Sequence, residues 1–211
     1  EIARIAAYIR AHWPETTILV RADSGFCRDN LMEWCADNGV HFVLGCAKTA
    51  PLVAEIKAEL AEAEAEHKAT GRAARRFKSF DWTTRESWTR QRRVVAKAEW
   101  TEGEANPRFI VTSLPADAID AARLYERVYC QRGEMENRIK ECQLDLIAGR
   151  MPTATMRANQ LRLWFASMAY VLMCALRRMA LAGTELARAT CATIRLELLK
   201  IGAQVTISVR R

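Results

Sequence analysis

The first residue whose type and place suggest chemistry is an aspartate at the end of an apolar run. Asp23 follows TTILVRA (residues 16–22), and Ser24-Gly25 after it permits a sharp turn. In open α/β sheets functional groups collect at the carboxyl ends of strands, where a carboxylate is a suitable oxygen ligand for Mg²⁺. The alternative is that Asp23 only caps the turn through nearby backbone N–H groups. For an isolated Asp-Ser-Gly, the second interpretation is favoured.

A second group of functional side chains lies in YERVYCQRGEMENRIKECQLDL (residues 125–146). On a regular helix, residues three or four apart share a face, and this stripe would contain Tyr129, Arg132, Glu136, Lys140 and Gln143. Such a stripe would set one carboxylate among phosphate-binding groups, as phosphodiester chemistry requires. The alternative is an exposed face with Arg132–Glu136 and Glu136–Lys140 ion pairs, each worth a few tenths of a kcal/mol. Gly133 within the helix suggests close approach of another group.

The elements that must position Asp23 can be predicted from the surrounding pattern. TTILVRAD (residues 16–23) is β-branched and continuous, which is typical of a central strand covered on both faces. A helix is predicted from Asn30, with a capping box to Glu33, and Gly39 marks its end. VHFVLGCA (residues 40–47) then reads as a strand. Strand, helix and strand in this order predict a βαβ unit with parallel strands.

In the rest of the chain the pattern of polar and apolar residues changes twice. Residues 50–69 are rich in Ala and Glu, which predicts a helix, and polar and apolar residues then alternate, which predicts antiparallel strands. Helices are predicted at the start of the chain, up to Ala11, and over residues 117–147, 154–182 and 184–200. The apolar run 163–176 is too short to span a bilayer, which needs about 20 residues, and is interpreted as a buried helix. The ending QVTISVRR (residues 204–211) has a strand-like alternation.

The charge and the cysteine and histidine content of the chain indicate which partners and metal sites to expect. The net charge is +7, and from residue 150 onward ten basic residues face two acids. This asymmetry favours a polyanionic partner such as nucleic acid, although a solvated helix face is the simpler alternative. Seven cysteines without a C-x-x-C pair, and three scattered histidines, argue against zinc and for reduced thiols.

The helical stripe resembles a known signature. Tyr129-x2-Arg132-x3-Glu136 is similar to the Y-x2-R-x3-E-x6-K pattern of bacterial insertion-sequence transposases with a DDE active site. The resemblance implies an α/β fold with a ribonuclease-H-like core, a βαβ arrangement of parallel strands followed by C-terminal helices. Residues 1–70 would be part of that core with its first strands missing. Residues 71–114 would be a small antiparallel β insertion, and residues 115–211 a helical part with the catalytic glutamate and basic helices.

The same resemblance implies a mechanism and partners. Asp23 and Glu136 would be catalytic acids that bind two Mg²⁺ (or Mn²⁺) ions for phosphodiester hydrolysis and strand transfer. Tyr129 and Arg132 would bind DNA, with Lys140 and Gln143 on the same stripe. The partner would be double-stranded DNA, both transposon ends and target, bound by a dimer in the bacterial cytoplasm and nucleoid, with no membrane attachment.

The sequence departs from the family pattern in two places. The signature lysine falls at Gln143, so Lys140 one turn earlier would have to replace it in part. Only Glu15 and Glu1 precede Asp23 as acids, so the first catalytic aspartate has no candidate, and the chain as given is expected not to cleave DNA. A non-catalytic DNA-binding remnant of a decayed transposase is the main alternative, and a phosphohydrolase of small substrates explains less. Trp82 or Trp88 could stack on an extruded base, but a structural role is the simpler interpretation.

Overall fold

The computed structural model of the protein describes residues 1–202, and the chain divides into two compact units, residues 1–132 and residues from Gly133 onward. The strands are β1 (Leu19–Ala22), β2 (His41–Cys46), β3 (Ala74–Trp82), β4 (Arg92–Thr101), β5 (Glu104–Ala105) and β6 (Arg108–Thr112). The helices are α1 (Ile2–His12), α2 (Asp29–Asp37), α3 (Ala50–Glu55), α4 (Lys57–Thr70), α5 (Ala121–Arg123), α6 (Arg132–Lys140), α7 (Met156–Met179) and α8 (Cys191–Ile194). Three π-helical turns (Leu124–Tyr129, Glu141–Asp145, Arg195–Leu199) and two 3-10 turns (Ser24–Phe26, Glu185–Arg188) complete the helical segments of the described residues.

All six strands form one sheet in the order β1-β2-β6-β4-β3, with β5 paired to β4. Strands β1 and β2 are parallel, from Leu19 opposite His41 to Ala22 opposite Leu44, which confirms the predicted βαβ unit. The pairs among β3, β4, β5 and β6 are antiparallel, as the alternating pattern predicted, and β6 also pairs antiparallel with β2. Because β6 pairs with β2, the strands of residues 74–112 continue the sheet that β1 and β2 begin.

The predicted central position of β1 is wrong. Within residues 1–202, β1 pairs on one side only, with β2, and it forms one margin of the sheet. Leu19 is accordingly 39% exposed and the other β1 residues are half-buried. The continuous apolar run suggested two covered faces, but the sequence pattern carries no information about which strands become neighbours.

The core of the first unit lies on both faces of the sheet, because alternate strand residues point to opposite sides. One cluster contains Phe42 together with Met32 from α2. The other contains Val43, Ile110 and Leu124, the last from the π-helical turn that follows α5. The segment of residues 121–129 is therefore anchored on the face opposite α2.

Two helix boundaries test the capping rules. Helix α2 ends as predicted, with Gly39 in the left-handed region at φ 60°. The predicted capping box is wrong, because Asn30 lies inside α2 and Arg28 occupies the N-cap without a side-chain hydrogen bond. Glu33 instead accepts hydrogen bonds from Thr89 and Arg90, in the chain just before β4.

The C-terminal segments are less regular than predicted. The expected helix 117–147 is a series of short pieces, with π-helical turns on both sides of α6 and a break at residues 130–131. Helix α7 matches the predicted helix 154–182 within a few residues at each end. The predicted helix 184–200 is replaced by a 3-10 turn, α8 and a π-helical turn. The strand-like ending at 204–211 lies outside the described residues.

The prediction that the apolar run 163–176 is buried is also wrong. Helix α7 buries Ala166 and Met173, and Met173 belongs to the small core of the second unit. Tyr170 and Leu176 are half-buried and pack against that core. The remaining large apolar side chains of α7 are exposed: Met156, Leu161, Leu163, Trp164, Phe165, Met168, Val171, Leu172 and Met179. No helix within residues 1–202 has the length and apolar character needed to cross a membrane.

Candidate active site at the end of strand β1

Asp23 is the first residue beyond β1, and its side chain performs the turn-capping role that the sequence allowed. Its Oδ1 accepts a hydrogen bond from the Gly25 N–H at 3.0 Å and so caps the 3-10 turn Ser24–Phe26. The residue is exposed, and Oδ2 has no hydrogen-bond partner among residues 1–202. Capping therefore uses one carboxylate oxygen and leaves the other open to solvent, where it can coordinate a cation or accept a proton.

Gly45 explains how other groups approach Asp23. It follows Leu44, which pairs with Ala22, so it lies beside Asp23 in the parallel register. A methyl group on Gly45 would be 2.6 Å from the Tyr129 Oη, 2.9 Å from the Ser24 backbone N and 3.2 Å from the Asp23 carbonyl carbon. These distances are shorter than van der Waals contact, so only glycine fits. The missing side chain is what brings the Tyr129 hydroxyl up to the Asp23 turn.

Tyr129 is fixed in this place by its own segment. Arg21 of β1 donates a hydrogen bond from Nη1 to the Val128 carbonyl at 2.7 Å, which ties the strand to the π-helical turn. The ring centroids of Tyr129 and Tyr125 are 5.5 Å apart, and Tyr125 is buried in the core. The hydroxyl of Tyr129 is thus positioned from both the sheet and the helical segment.

The electrostatics around Tyr129 favour its protonated form. Burial raises the pKa of the Tyr129 phenol, and the charge of the Asp23 carboxylate raises it further. The charge of Arg132 and a hydrogen bond with it act in the opposite direction, but the net shift is upward. At neutral pH the hydroxyl therefore remains a hydrogen-bond donor beside a carboxylate and a guanidinium group.

The other predicted residues belong to the second unit and are described there. Glu136 lies in the middle of α6, Lys140 is the last residue of α6, and Gln143 lies in the π-helical turn Glu141–Asp145. All three are exposed. The segment that underlay the predicted stripe has a turn at residues 130–131, and Tyr129 remains hydrogen-bonded to Arg132 across this turn.

Gly133 does not play the role that its place in a helix suggested. A methyl group on Gly133 would meet no other atom within 4 Å. The close approach of another group, which the sequence suggested for Gly133, occurs at Gly45 instead.

A family model described as transposase DDE domain group 1 matches residues 1–211, the whole chain. The chain belongs to the DDE transposase domain family. No curated protein matches it significantly. Membership implies a role in DNA transposition, a ribonuclease-H-like fold and a divalent-metal requirement. In this DDE domain the implied fold takes the form of a mixed α/β structure whose sheet is mostly antiparallel.

The residues of the DDE domain fit a metal ion in part. Asp23 offers a free carboxylate oxygen at a strand end, which is the kind of hard oxygen donor that Mg²⁺ and Mn²⁺ prefer. Residues 1–202 nevertheless contain no group of three or more histidine, cysteine, aspartate or glutamate side chains arranged to hold an ion. The Asp23 turn therefore offers one oxygen donor of the kind that a divalent cation binds.

The tryptophans of the DDE domain that were candidates for base stacking have structural contacts. Trp82 and Trp88 are half-buried and pack against the core cluster that contains Phe42 and Met32. Trp82 also makes an edge-on contact with Phe80 at 6.0 Å between ring centroids. The structural interpretation of these two residues is the one the packing supports.

The sequence patterns did not identify two residues of the candidate site, Arg21 and Gly45. An isolated glycine inside a predicted strand signals close approach of another backbone, and Gly45 within VHFVLGCA carried that signal. Arg21 carried none, because its hydrogen bond joins residues 107 positions apart in the chain.

Proposed function

We propose that this DDE domain binds double-stranded DNA at transposon ends and at the target, and contributes two of the three carboxylates with which a DDE transposase cuts and joins the phosphodiester backbone. The observation that carries the proposal is the juxtaposition at Gly45. There the backbone of the turn that carries an exposed carboxylate with one free oxygen lies close to a tyrosine hydroxyl, and the charge of that carboxylate acts on the hydroxyl. A metal-ligating oxygen and a phosphate donor side by side suit a scissile phosphodiester better than they suit a neutral substrate.

Asp23 and Glu136 are the proposed metal ligands for two Mg²⁺ or Mn²⁺ ions. When bound, such ions activate a water or 3′-hydroxyl and stabilise the leaving oxygen of an in-line displacement. The capping hydrogen bond from Gly25 fixes the Asp23 carboxylate, so its free oxygen is presented in one orientation. Preorganisation of this kind avoids reorientation of the ligand when substrate arrives.

Tyr129 and Arg132 are the proposed contacts to the DNA backbone next to the scissile bond. The Tyr129 hydroxyl, kept protonated by burial, donates to a phosphate oxygen. The planar guanidinium of Arg132 suits a bidentate contact with the phosphate. Lys140 and Gln143, both exposed, extend the contact along the backbone, with Lys140 taking the place of the signature lysine.

The wider assignment rests on the signature and the charge. The Tyr-Arg-Glu part of the insertion-sequence signature is present, and the basic excess after residue 150 suits a polyanion. We place the protein among bacterial insertion-sequence transposases of the Tyr-Arg-Glu-Lys signature group, acting as a dimer on DNA at the nucleoid.

The proposal is tested by DNA and Mn²⁺ binding of the full 211-residue chain. Fluorescence anisotropy with a labelled duplex should show binding that weakens steeply with salt, because phosphate contacts release counterions. Arg132→Gln and Tyr129→Phe should weaken that binding. Electron paramagnetic resonance should detect Mn²⁺ bound by the complex with DNA, and Asp23→Asn or Glu136→Gln should each lower its affinity at least tenfold.

Charge-matched controls separate the ligands from general electrostatics. Asp37→Asn and Glu197→Gln each remove one exposed carboxylate without a hydrogen-bond partner in the described part of the chain, and both should leave Mn²⁺ affinity unchanged. Equal losses in the control and ligand variants would refute the ligand assignment. DNA binding that is insensitive to all four acids, with no Mn²⁺ bound, would identify a DNA-binding module without catalytic function.

A further inference from the structure

The second unit contains an arginine-lined pocket that the proposed active site does not use. The pocket has a volume of about 510 Å³ and lies where α6, α7 and the 3-10 turn Glu185–Arg188 meet. Its charged and hydroxyl-bearing walls are formed by Glu134, Arg138, Tyr170, Arg177, Arg178 and Arg188. We infer that this pocket binds a phosphate group of the DNA backbone, an inference that rests on the proposed function and gives the DNA a second contact point.

Two of the four arginines are held in place by acids. Arg138 donates to Glu134 at 2.6 Å and to Glu141 at 2.6 Å. Arg177 donates to Glu141 at 2.7 Å and to the Ala189 carbonyl at 2.9 Å. These contacts fix the two guanidinium groups as parts of the wall.

Glu141 remains an anion although it is buried. Burial by itself would raise the pKa of Glu141, but hydrogen bonds from Cys191 and Arg177 and the charges of both arginines lower it overall. The fixed part of the pocket is thus a network of ion pairs between two arginines and two glutamates, Glu141 and Glu134.

Arg178 and Arg188 supply the uncompensated charge. Both are exposed, and neither has a hydrogen bond or ion pair with any of residues 1–202. Each guanidinium carries five N–H donors, so ten donors at the mouth of the pocket have no acceptor within the part of the chain that the structure describes. Four guanidinium groups face two carboxylates, and the surplus of positive charge repels a metal cation and attracts an anion.

The competing explanation is that arginines in the last turn of α7 only offset the helix dipole. The dipole places about half a negative charge at that end, which one cation compensates. Arg177 and Arg178 both lie in the last turn, and Arg188 comes from another element. Three cations exceed what the dipole requires. Planar guanidinium groups from two elements around one cavity match the oxygens of a phosphate.

The test compares two double variants that lose the same charge. The double variant Arg178→Gln/Arg188→Gln removes the two unpaired positive charges of the pocket. Arg150→Gln with Arg157→Gln removes two exposed arginines from the same third of the chain, outside the pocket. Duplex DNA affinity is measured by anisotropy from low to physiological salt. Circular dichroism of both variants should match that of the unmodified chain, because all four side chains are exposed.

We expect the pocket variant to bind duplex DNA at least tenfold more weakly, and the slope of log K against log salt to fall by roughly 1 to 2. The control variant should lose no more than about threefold in affinity, as expected from diffuse charge. Replacing Arg178 and Arg188 by lysine should restore part of the affinity, since charge is kept and the fork is lost.

Each other outcome is informative. Equal losses in the two double variants would overturn the pocket and leave the proposed function standing. Absence of duplex binding by the unmodified chain would contradict both proposals. Calorimetry with inorganic phosphate should show no binding at millimolar concentration. Tight phosphate binding that disappears with Arg178 and Arg188 would replace the DNA backbone by a free phosphate as the occupant.

Discussion

The two units of the chain bury their apolar side chains to very different extents. The first unit has a sheet with clusters on both faces, and Val43, Val95 and Ile110 are fully buried. The second unit has one small cluster around Met173 and Ile194, while α7 leaves most of its large apolar side chains exposed. The sheet unit therefore fixes the ring of Tyr129 by internal packing, whereas the helical unit carries the proposed site residues Glu136 and Lys140 on its surface.

The units also use charge differently. In the sheet unit, the buried Arg92 is matched by Asp29 at 2.9 Å and by Glu33, so its charge is compensated internally. In the helical unit, Arg178 and Arg188 have no acidic partner among residues 1–202. The paired charges of both units contribute to folding, whereas Arg178 and Arg188, unlike the paired Arg138 and Arg177, remain available for binding.

The largest test of this contrast deletes apolar volume in each unit. Ile110→Ala leaves a cavity in a fully buried cluster and should lower the free energy of unfolding by about 2–5 kcal/mol. Leu172→Ala, at a side chain that is 68% exposed, should change it by no more than about 0.5 kcal/mol. Urea unfolding followed by tryptophan fluorescence measures the first, since five of the six tryptophans lie in residues 1–132.

For Leu172→Ala the unfolding measurement is helical circular dichroism, because α7 contains only Trp164. A loss above about 2 kcal/mol for this variant would mean that the exposed side of α7 is buried in solution. That outcome would remove the contrast between the units.

The second test adds a methyl group in each unit. Gly45→Ala forces its Cβ against the Tyr129 hydroxyl and the Ser24 and Asp23 backbone, and should destabilise the sheet unit by about 1–3 kcal/mol. Gly133→Ala meets no atom within 4 Å inside a helix, and should be neutral or stabilising by up to about 1 kcal/mol. Equal urea midpoints for the two variants would contradict the close approach at Gly45.

The smallest effect is a pH dependence confined to the sheet unit. Hydrogen bonds from Arg90 and Thr89, and from Arg92, lower the pKa of Glu33 from 4.5 to about 2. Since the folded-state pKa is depressed, this stabilisation is fully present above pH 4.5 and is lost as the pH falls through 2. Glu33→Gln should flatten the acid side of a plot of thermal midpoint against pH.

Glu86→Gln is the control for this measurement, since Glu86 is an exposed glutamate without a hydrogen-bond partner in the described residues. Its acid profile should follow that of the unmodified chain. An unchanged profile for Glu33→Gln as well would show that the Glu33 ion pairs do not contribute to folding.

The local elements were predictable where one pattern dominated. The parallel β1–β2 pair follows from two apolar runs around a helix, and the end of α2 follows from Gly39, which adopts a positive φ. Sheet order was not predictable, because the position of β1 depends on β6 pairing with β2 across a long intervening stretch. The exposure of one side of α7 was not predicted, because an apolar run does not show whether other elements of the fold cover it.

The candidate site was predictable in part for the same reason. The position of Asp23 directly after a predicted strand indicated a candidate functional residue. The spacing of Tyr129 to Arg132 and Glu136 did the same for Tyr129. The joint dependence of Asp23 and Tyr129 on Gly45 and Arg21 is tertiary, so no local pattern reveals it. The sequence predicted that Glu33 caps a helix, but Glu33 accepts hydrogen bonds from Thr89, Arg90 and Arg92, which lie in a distant loop and strand.

The position of β1 at the edge of the sheet has a consequence for assembly of the protein. Its outer row of backbone N–H and C=O groups has no strand partner within residues 1–202. An unpaired edge of this kind can pair with a further strand, although its length of four residues limits self-association through it. The same edge can be satisfied by an extended segment, and a parallel strand docked there would bring its carboxyl end beside Asp23.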